Sequence, residues 1–419
     1  MQDNAGLFHA LKSGFPVLPL FIFDENILEN LEKDDARVSF IYENIQELRK
    51  QLKNNGSSLA IFHGNPEKVF RQLVDSYSIA AVFTNQDYEP YARERDSKIE
   101  KILSSQNIPF KTYKDQVIFE KDEVVKSDGN PYVVYSPYMR LWKEKYRGFI
   151  PINYNTEAYF ANFLQEAELP NLELKEIGFV PASISISNYE ISQNLLKDYE
   201  SSRNFPARDA TTHLGPHLRF GTVSIRKIAS LAASVQNETF LQELIWREFF
   251  MQIIYHFPHT VTQAFKPKYD RIQWRNNEEE FGLWKAGKTG YPLVDAGMRQ
   301  LNETGFMHNR VRMLVASFLC KHLLIDWRWG EAYFAEKLLD YEMSSSVGNW
   351  QWATGSGVDA APYFRIFNPT IQLKDYDKDR EYVKTWVKEF DTPAYPKPIV
   401  EHTEARERAL RVYKMAVTD

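Results

Sequence analysis

Met307-His308-Asn309-Arg310-Val311-Arg312-Met313, Ile325-Asp326-Trp327-Arg328, Leu338-Leu339-Asp340-Tyr341-Glu342 and Asn349-Trp350-Gln351-Trp352 all fall between residues 291 and 369 of this 419-residue chain. Val311, Val315, Phe318, Leu319 and Leu323 can form one packed face, so the spacing predicts a helix over 307–324. Asn309, Arg312 and Met313 share another face at i, i+3, i+4 positions. Indoles, an internal carboxylate and arginines are costly to bury together unless something polar and aromatic sits among them. The stretch points to a helical domain around a bound planar cofactor.

Helical patterns continue on both sides of it. Pro292 suits a first helical position, and stops are expected at Gly221, Pro258, Gly305 and Gly330. Toward the start of the chain the pattern changes. Residues 17–23, 59–62 and 79–83 read as buried strands, and 37–54, 66–76 and 91–104 as helices. Such alternation favours a parallel sheet covered on both faces. Between the two regimes, residues 125–185 are rich in Gly, Pro, Asn and Tyr and read as a connector. The expected fold class is multidomain α/β plus all-α: an α/β domain over 1–124, a linker over 125–185 and a helical domain over 186–419.

Composition excludes several classes. Cys320 is the only cysteine, which rules out an internal disulfide and a cysteine-based metal cluster, and its apolar setting suits a small core residue. No apolar run approaches the roughly 18 residues a membrane span needs, so the chain is expected in the cytoplasm. A net charge of −5 leaves room only for a local basic groove if the partner is nucleic acid.

Residues 282–289, Gly-Leu-Trp-Lys-Ala-Gly-Lys-Thr, fit the phosphate-loop expression, but Asn276-Asn277-Glu278-Glu279-Glu280 precede them where a buried strand is required. His213 and His217 have zinc-ligand spacing, yet Gly215-Pro216 interrupts the helix that would align them. No metal site is expected. Nucleophile-elbow and dinucleotide glycine motifs are also missing, so catalysis would rest on a cofactor.

Gly290-Tyr291-Pro292-Leu293-Val294-Asp295-Ala296, Met307-His308-Asn309-Arg310 and Asp359-Ala360-Ala361-Pro362-Tyr363-Phe364-Arg365-Ile366-Phe367-Asn368-Pro369 carry a resemblance to the photolyase/cryptochrome flavoproteins. Among them the chain resembles the microbial class I cyclobutane pyrimidine dimer photolyases. The resemblance implies a Rossmann-like N-terminal domain, often with an antenna chromophore (methenyltetrahydrofolate or a deazaflavin), and a helical domain holding FAD. It implies a monomer acting on UV-damaged DNA, with no membrane partner. For the flavin, Tyr199, Thr211, Thr212, Leu214, Gly215 and Arg247 match the phosphate-binding segment. Arg312, Asp340, Glu342 and Asn309 match the rest of the site. Gly215 replaces a serine often found there, and Ser346 an asparagine beside flavin N5.

For the lesion, Trp246 and Trp352 match indoles that sandwich a flipped dimer, with Glu243, Asn309 and Met313 as further contacts. Arg203, Arg310 and Arg365 match DNA-backbone contacts. Trp350, Trp327 and Trp274 match an electron-transfer chain from flavin to surface. The implied activity is light-driven dimer repair, with a cryptochrome photosensor as the alternative. A (6-4) photolyase would place a histidine pair in the pocket, which His308-Asn309 does not resemble. Family members usually begin with an apolar strand and an Arg-rich turn ending in Asp-Asn; here Gln2-Asp3-Asn4 is what matches. The expectation is a sheet lacking its first strand, with Met1 not the natural start or the antenna domain impaired.

Overall fold

Along Leu20–Asp24 (β1) the side chains part by parity. Phe21 and Phe23 join an apolar cluster with Val38, Leu52 and Ile61, whereas Leu20 and Ile22 join another with Phe70, Leu73 and Ile99. A strand apolar on both faces belongs inside a sheet covered on both sides. The structure, a computed structural model, describes residues 1–149, 152–165 and 168–418. Its first elements run α1 (Ala5–Leu11), β1, α2 (Glu25–Leu28), α3 (Ala36–Lys53), β2 (Ala60–Gly64), α4 (Pro66–Ser76), β3 (Val82–Asn85), α5 (Pro90–Ser104) and β4 (Phe110–Tyr113). Local chemistry sets the helix starts. Asn4, Asp35 and Asn65 each accept a first-turn N–H, and Pro66 and Pro90 supply the preset φ of a first helical turn.

β1 pairs in parallel with β2, from Leu20 opposite Ala60 to Asp24 opposite Gly64. β3 pairs in parallel with β4, from Val82 opposite Phe110 to Asn85 opposite Tyr113. These are two separate two-stranded sheets rather than one. A cavity of about 810 Å³ is lined by residues of both β1 and β3.

The chain divides into two units that trade segments. The first comprises Met1–Glu123, Glu144–Asn188 and Leu214–Leu231; the second comprises Val124–Lys143, Tyr189–His213 and Ala232–Asp419, of which Asp419 lies outside the described residues. Within the first unit, the late-arriving Arg226 donates to Asp3 (Nε to Oδ2, 2.9 Å) and to Asp115 (Nη2 to Oδ1, 2.8 Å), and both Arg226 and Asp3 are buried. A buried guanidinium tolerates this only with its carboxylates in place.

Later elements are α6 (Tyr135–Arg147), α7 (Gln193–Ser202), α8 (Gly215–Arg219), α9 (Ile225–Ala233), α10 (Thr239–His256), α11 (Glu278–Lys285), α12 (Pro292–Thr304), α13 (Asn309–Ser317), α14 (Trp327–Lys337), α15 (Met343–Thr354), α16 (Pro369–Tyr376), α17 (Glu381–Trp386) and α18 (His402–Thr418). Three local expectations need correction. The stretch read as a connector contains the 13-residue α6, whose buried Tyr135, Tyr138 and Trp142 give it an apolar face. The helix expected over 307–324 ends at Ser317 and continues as a π-helical turn, Phe318–His322. Gly330 does not stop a helix. It lies inside α14, and a Cβ there would sit 2.2 Å from the Trp350 ring, so the glycine makes room for an indole.

The Gly290-to-Ala296 run proves architectural. Buried Asp295 accepts from Thr289 N (2.7 Å), Thr289 Oγ1 (2.6 Å), Gly290 N (3.0 Å) and Tyr395 Oη (2.6 Å). Burial raises its pKa, and these bonds act against the rise. Gly290 is at φ +78°, and a Cβ would lie 2.4 Å from the Lys397 backbone. The phosphate-loop match falls across the end of α11, with no strand before it, so the required strand-loop-helix context is missing.

Candidate flavin and lesion site

α10, α13 and α15 present the site in the second unit. α10 buries Leu244, Ile245, Phe249 and Phe250, which leaves Glu243, Trp246 and Arg247 half-buried on its other side at i, i+3, i+4. α15 crosses α10 closely: a Cβ on Gly348 would lie 2.2 Å from the Phe250 ring. Close crossing fixes the two helices that carry Trp246 and Trp352. His308 caps α13, its Nδ1 accepting from Arg310 N at 3.2 Å. Past that cap Asn309 is exposed and Met313 half-buried.

Trp246 has one face covered. The Tyr135 ring stacks on it at 3.6 Å between centroids and 8° between planes, and Tyr135 Oη donates to Gln242 O at 2.7 Å. Burial, with Glu243 adding to it, raises the Tyr135 pKa and keeps the phenol neutral. Nothing in the sequence signalled this partner, because it comes from the segment read as a connector. Trp352 is half-buried and packs against the large core of the helical unit.

Two arginine–carboxylate pairs occupy the same unit. Arg312 makes a bidentate pair with Asp340 (Nη1 to Oδ1, 3.1 Å; Nη2 to Oδ2, 2.9 Å), and its Nε donates to Met307 O at 2.7 Å. Arg247 Nη2 donates to Glu342 Oε1 at 2.7 Å, and Ser345 Oγ donates to Oε2 at 2.8 Å. In both pairs most of the side-chain surface is covered, and each guanidinium meets its carboxylate directly. Nearby, burial raises the Glu331 pKa, while the hydroxyls of Tyr341 and Ser346 oppose the rise. This donor set suits FAD: guanidinium and hydroxyl groups for a pyrophosphate, a carboxylate to accept an N–H from the ring. Thr211 and Thr212 lie ahead of His213, which adopts φ +52° and bonds Asp209 at 2.9 Å. Leu214 and Gly215 open α8 and fall in the first unit.

Of the three arginines expected at DNA, Arg203 pairs with Glu243 beside Tyr199, whose pKa is pushed up to about 12 chiefly by burial. Arg310 donates to Asn204 Oδ1 at 2.6 Å and lies over the Tyr376 ring. Arg365 is exposed. Trp350 and Trp327 are buried in one apolar cluster, with Trp274 half-buried against it. A further indole escaped sequence reading. Trp284 is fully buried and edge-on to Trp350 at 6.4 Å. Cys320 is buried, and its thiol pKa is pushed up to about 12 by that burial, which leaves it inert at neutral pH.

Comparison with known proteins gives this arrangement a family. Residues 1–157 match the family described as DNA photolyase, and residues 240–394 match the FAD binding domain of DNA photolyase. The deoxyribodipyrimidine photo-lyase of a Synechococcus species is 34% identical, with 99% of this chain and 94% of that one covered. A bacterial class III photolyase structure from Agrobacterium tumefaciens superposes with a TM-score of 0.88 at 31% identity, covering 100% and 95%. The Synechocystis cryptochrome structure superposes with a TM-score of 0.85 at 25% identity, covering 98% and 96%. The chain belongs to the DNA photolyase family within the photolyase/cryptochrome flavoproteins, and its helical unit is a FAD-binding domain.

Proposed function

We propose that this protein is a light-driven DNA repair enzyme that splits cyclobutane pyrimidine dimers. The observation that carries the reading is the pair Trp246 and Trp352, half-buried on two closely crossed helices, with the Tyr135 ring stacked on Trp246. A flipped dimer needs apolar aromatic walls to offset the few kcal/mol lost on leaving the stack; photolyases are among the base-flipping enzymes for which that figure is general.

Glu243 on α10 and Asn309 and Met313 on α13 would supply the polar and soft contacts to the pyrimidines. Glu243 is shared with Arg203, whose guanidinium donates to its carboxylate. When bound, FAD supplies the light-excited electron that opens the cyclobutane ring and receives it back. Around that cofactor, Asp340 would accept an N–H while paired with Arg312, and Arg247 with Tyr199, Thr211 and Thr212 would hold phosphate. Trp350, Trp327 and Trp274 offer oxidisable rings in one cluster for recharging. Arg365, exposed, would meet the DNA backbone.

The test is illumination of photoreduced protein with a thymine-dimer oligonucleotide. Restored thymines support repair. A light response without restored thymines would favour a photosensor instead, the reading that the Synechocystis cryptochrome likeness keeps open.

A further inference from the structure

Phe318, Leu319, Cys320, Lys321 and His322, the π-helical turn that follows α13, are all buried. A turn buried on every side gives a lysine no route along which its charge can reach solvent. Lys321 is 1% exposed, and among the described residues no carboxylate pairs with its ammonium. Its partner is a backbone carbonyl: Lys321 Nζ donates to Arg365 O at 2.9 Å. Burial lowers the Lys321 pKa to about 8, with Cys320 opposing the fall and Arg365 adding to it, so the ammonium form prevails at neutral pH. A cation held in a core without a counter-charge is costly. Neither the flavin site nor the lesion pocket uses it.

What Lys321 holds is the loop between α15 and α16. Asp359, at φ +43°, fastens the start of that loop, its Oδ2 accepting from Tyr135 N at 3.2 Å. Asn368 fastens the end by capping α16, its Oδ1 accepting from Thr370 N at 2.9 Å. Lys321 reaches the stretch between them. There Arg365 N donates to Pro362 O at 2.8 Å, which closes a turn. The Arg365 side chain is exposed, with its guanidinium over the Phe367 ring, 5.8 Å from the centroid. One residue is thus gripped at its carbonyl from inside the core while its side chain stands in solvent. A long side chain that starts from a fixed Cα has less freedom to lose on meeting a ligand. The two cations also repel each other, and an anion bound at Arg365 would relieve that repulsion.

We propose that Lys321 is a positioning residue for DNA: its ammonium holds the Arg365 carbonyl and so presents the Arg365 guanidinium to a backbone phosphate, without itself meeting the nucleic acid. The inference rests on the reading of Arg365 as a phosphate contact and adds the group that sets it. Phosphate contacts carry no sequence information, so the effect falls equally on damaged and intact duplexes.

The experiment measures binding of the flavin-loaded protein to a dimer-containing duplex and to the same duplex intact, between low and moderate salt. It compares the parent, Arg365→Ala, Lys321→Met and the double variant. Methionine keeps the bulk of the lysine stem but has no donor for the carbonyl and brings no charge into the core. The expected result is that Lys321→Met reduces the salt slope by about one and lowers affinity for both duplexes roughly tenfold near 0.1 M salt, as loss of one phosphate contact would. Flavin absorbance per protein should stay at the parent level. The double variant should bind as Arg365→Ala does, because the two residues act through one contact. A parent-like slope in Lys321→Met, where Arg365→Ala has lost its share, overturns this inference alone. An unchanged slope in Arg365→Ala overturns the reading of Arg365 and this inference together. A double variant that loses a further unit of slope also overturns it, because Lys321 then acts independently of Arg365. Should Lys321→Met fail to hold flavin, Lys321→Leu, equally without a donor, takes its place with the same outcomes.

Discussion

Trp246 can serve as a platform because its other face is already covered. Tyr135 holds that face at 3.6 Å, so on the proposed reading the indole would meet a base already ordered. Trp246→Ala and Trp352→Ala are each expected to lower affinity for dimer-containing DNA by roughly 1–3 kcal/mol, the worth of one stacked base. Flavin absorbance per protein should stay unchanged in both. Unaltered lesion affinity in titrations with dimer-containing and intact duplexes would remove the two rings from the pocket. At this scale the sequence offers a candidate where one motif carries one side chain, as with Trp352 or Asp340. It was not legible where a residue matters through a distant partner. Neither Tyr135 behind Trp246 nor Trp284 edge-on to Trp350 has a sequence signal, since each depends on which helices meet.

Helices in the second unit are set by contacts at single points. Gly330→Ala would put a methyl 2.2 Å from the Trp350 ring and 2.5 Å from Leu319 Cδ2, both inside the core. Overpacking of this kind should cost roughly 1–3 kcal/mol, read as a lower denaturation midpoint together with a changed tryptophan emission. The cap of α13 gives a pH dependence. Burial, with Arg312 and Arg310 adding to it, lowers the His308 pKa to about 4, against 6.5 for the free side chain. Between those values the unfolded chain binds the extra proton, so this contribution is complete above about pH 6.5 and is lost as the pH falls toward 4. It amounts to at most roughly 3 kcal/mol. His308→Asn keeps an acceptor for the Arg310 N–H but does not titrate, so its stability should fall less steeply across that window. An identical slope in urea melts at pH 4.5, 5.5 and 6.5 would show that His308 is not the titrating group. Periodicity found most elements because their faces are one-sided; β4, with exposed Lys111 and Thr112, carries no apolar run and went unseen. Gly330 looked like a stop because a glycine's use inside a helix depends on what packs against it.

The whole molecule carries a net charge of −5, so attraction to DNA must come from a few placed cations. Arg203 is committed to Glu243 and Arg310 to Asn204, whereas Arg365 stands exposed. Arg365→Ala is therefore expected to weaken damaged and undamaged DNA alike and to reduce the salt slope of binding by about one. An unchanged slope between low and moderate salt would exclude a phosphate contact there. A net charge of −5 is compatible with such a local patch, but charge and length hold no information on how the chain is shared out. The first unit takes Leu214–Leu231 after the second has already claimed Tyr189–His213. That sharing sets a timetable for synthesis. A ribosome adds roughly 5–20 residues per second, so the stretch from Glu123 to Leu231 keeps the N-terminal unit waiting for about 5–20 s. Until Arg226 emerges, Asp3 and Asp115 lack the guanidinium that both accept from. Nascent chains stalled soon after residue 123 should be cut readily by protease, and those stalled well past residue 231 should resist. The end of the protein that is made first is thus held open until more than half of the chain has been translated.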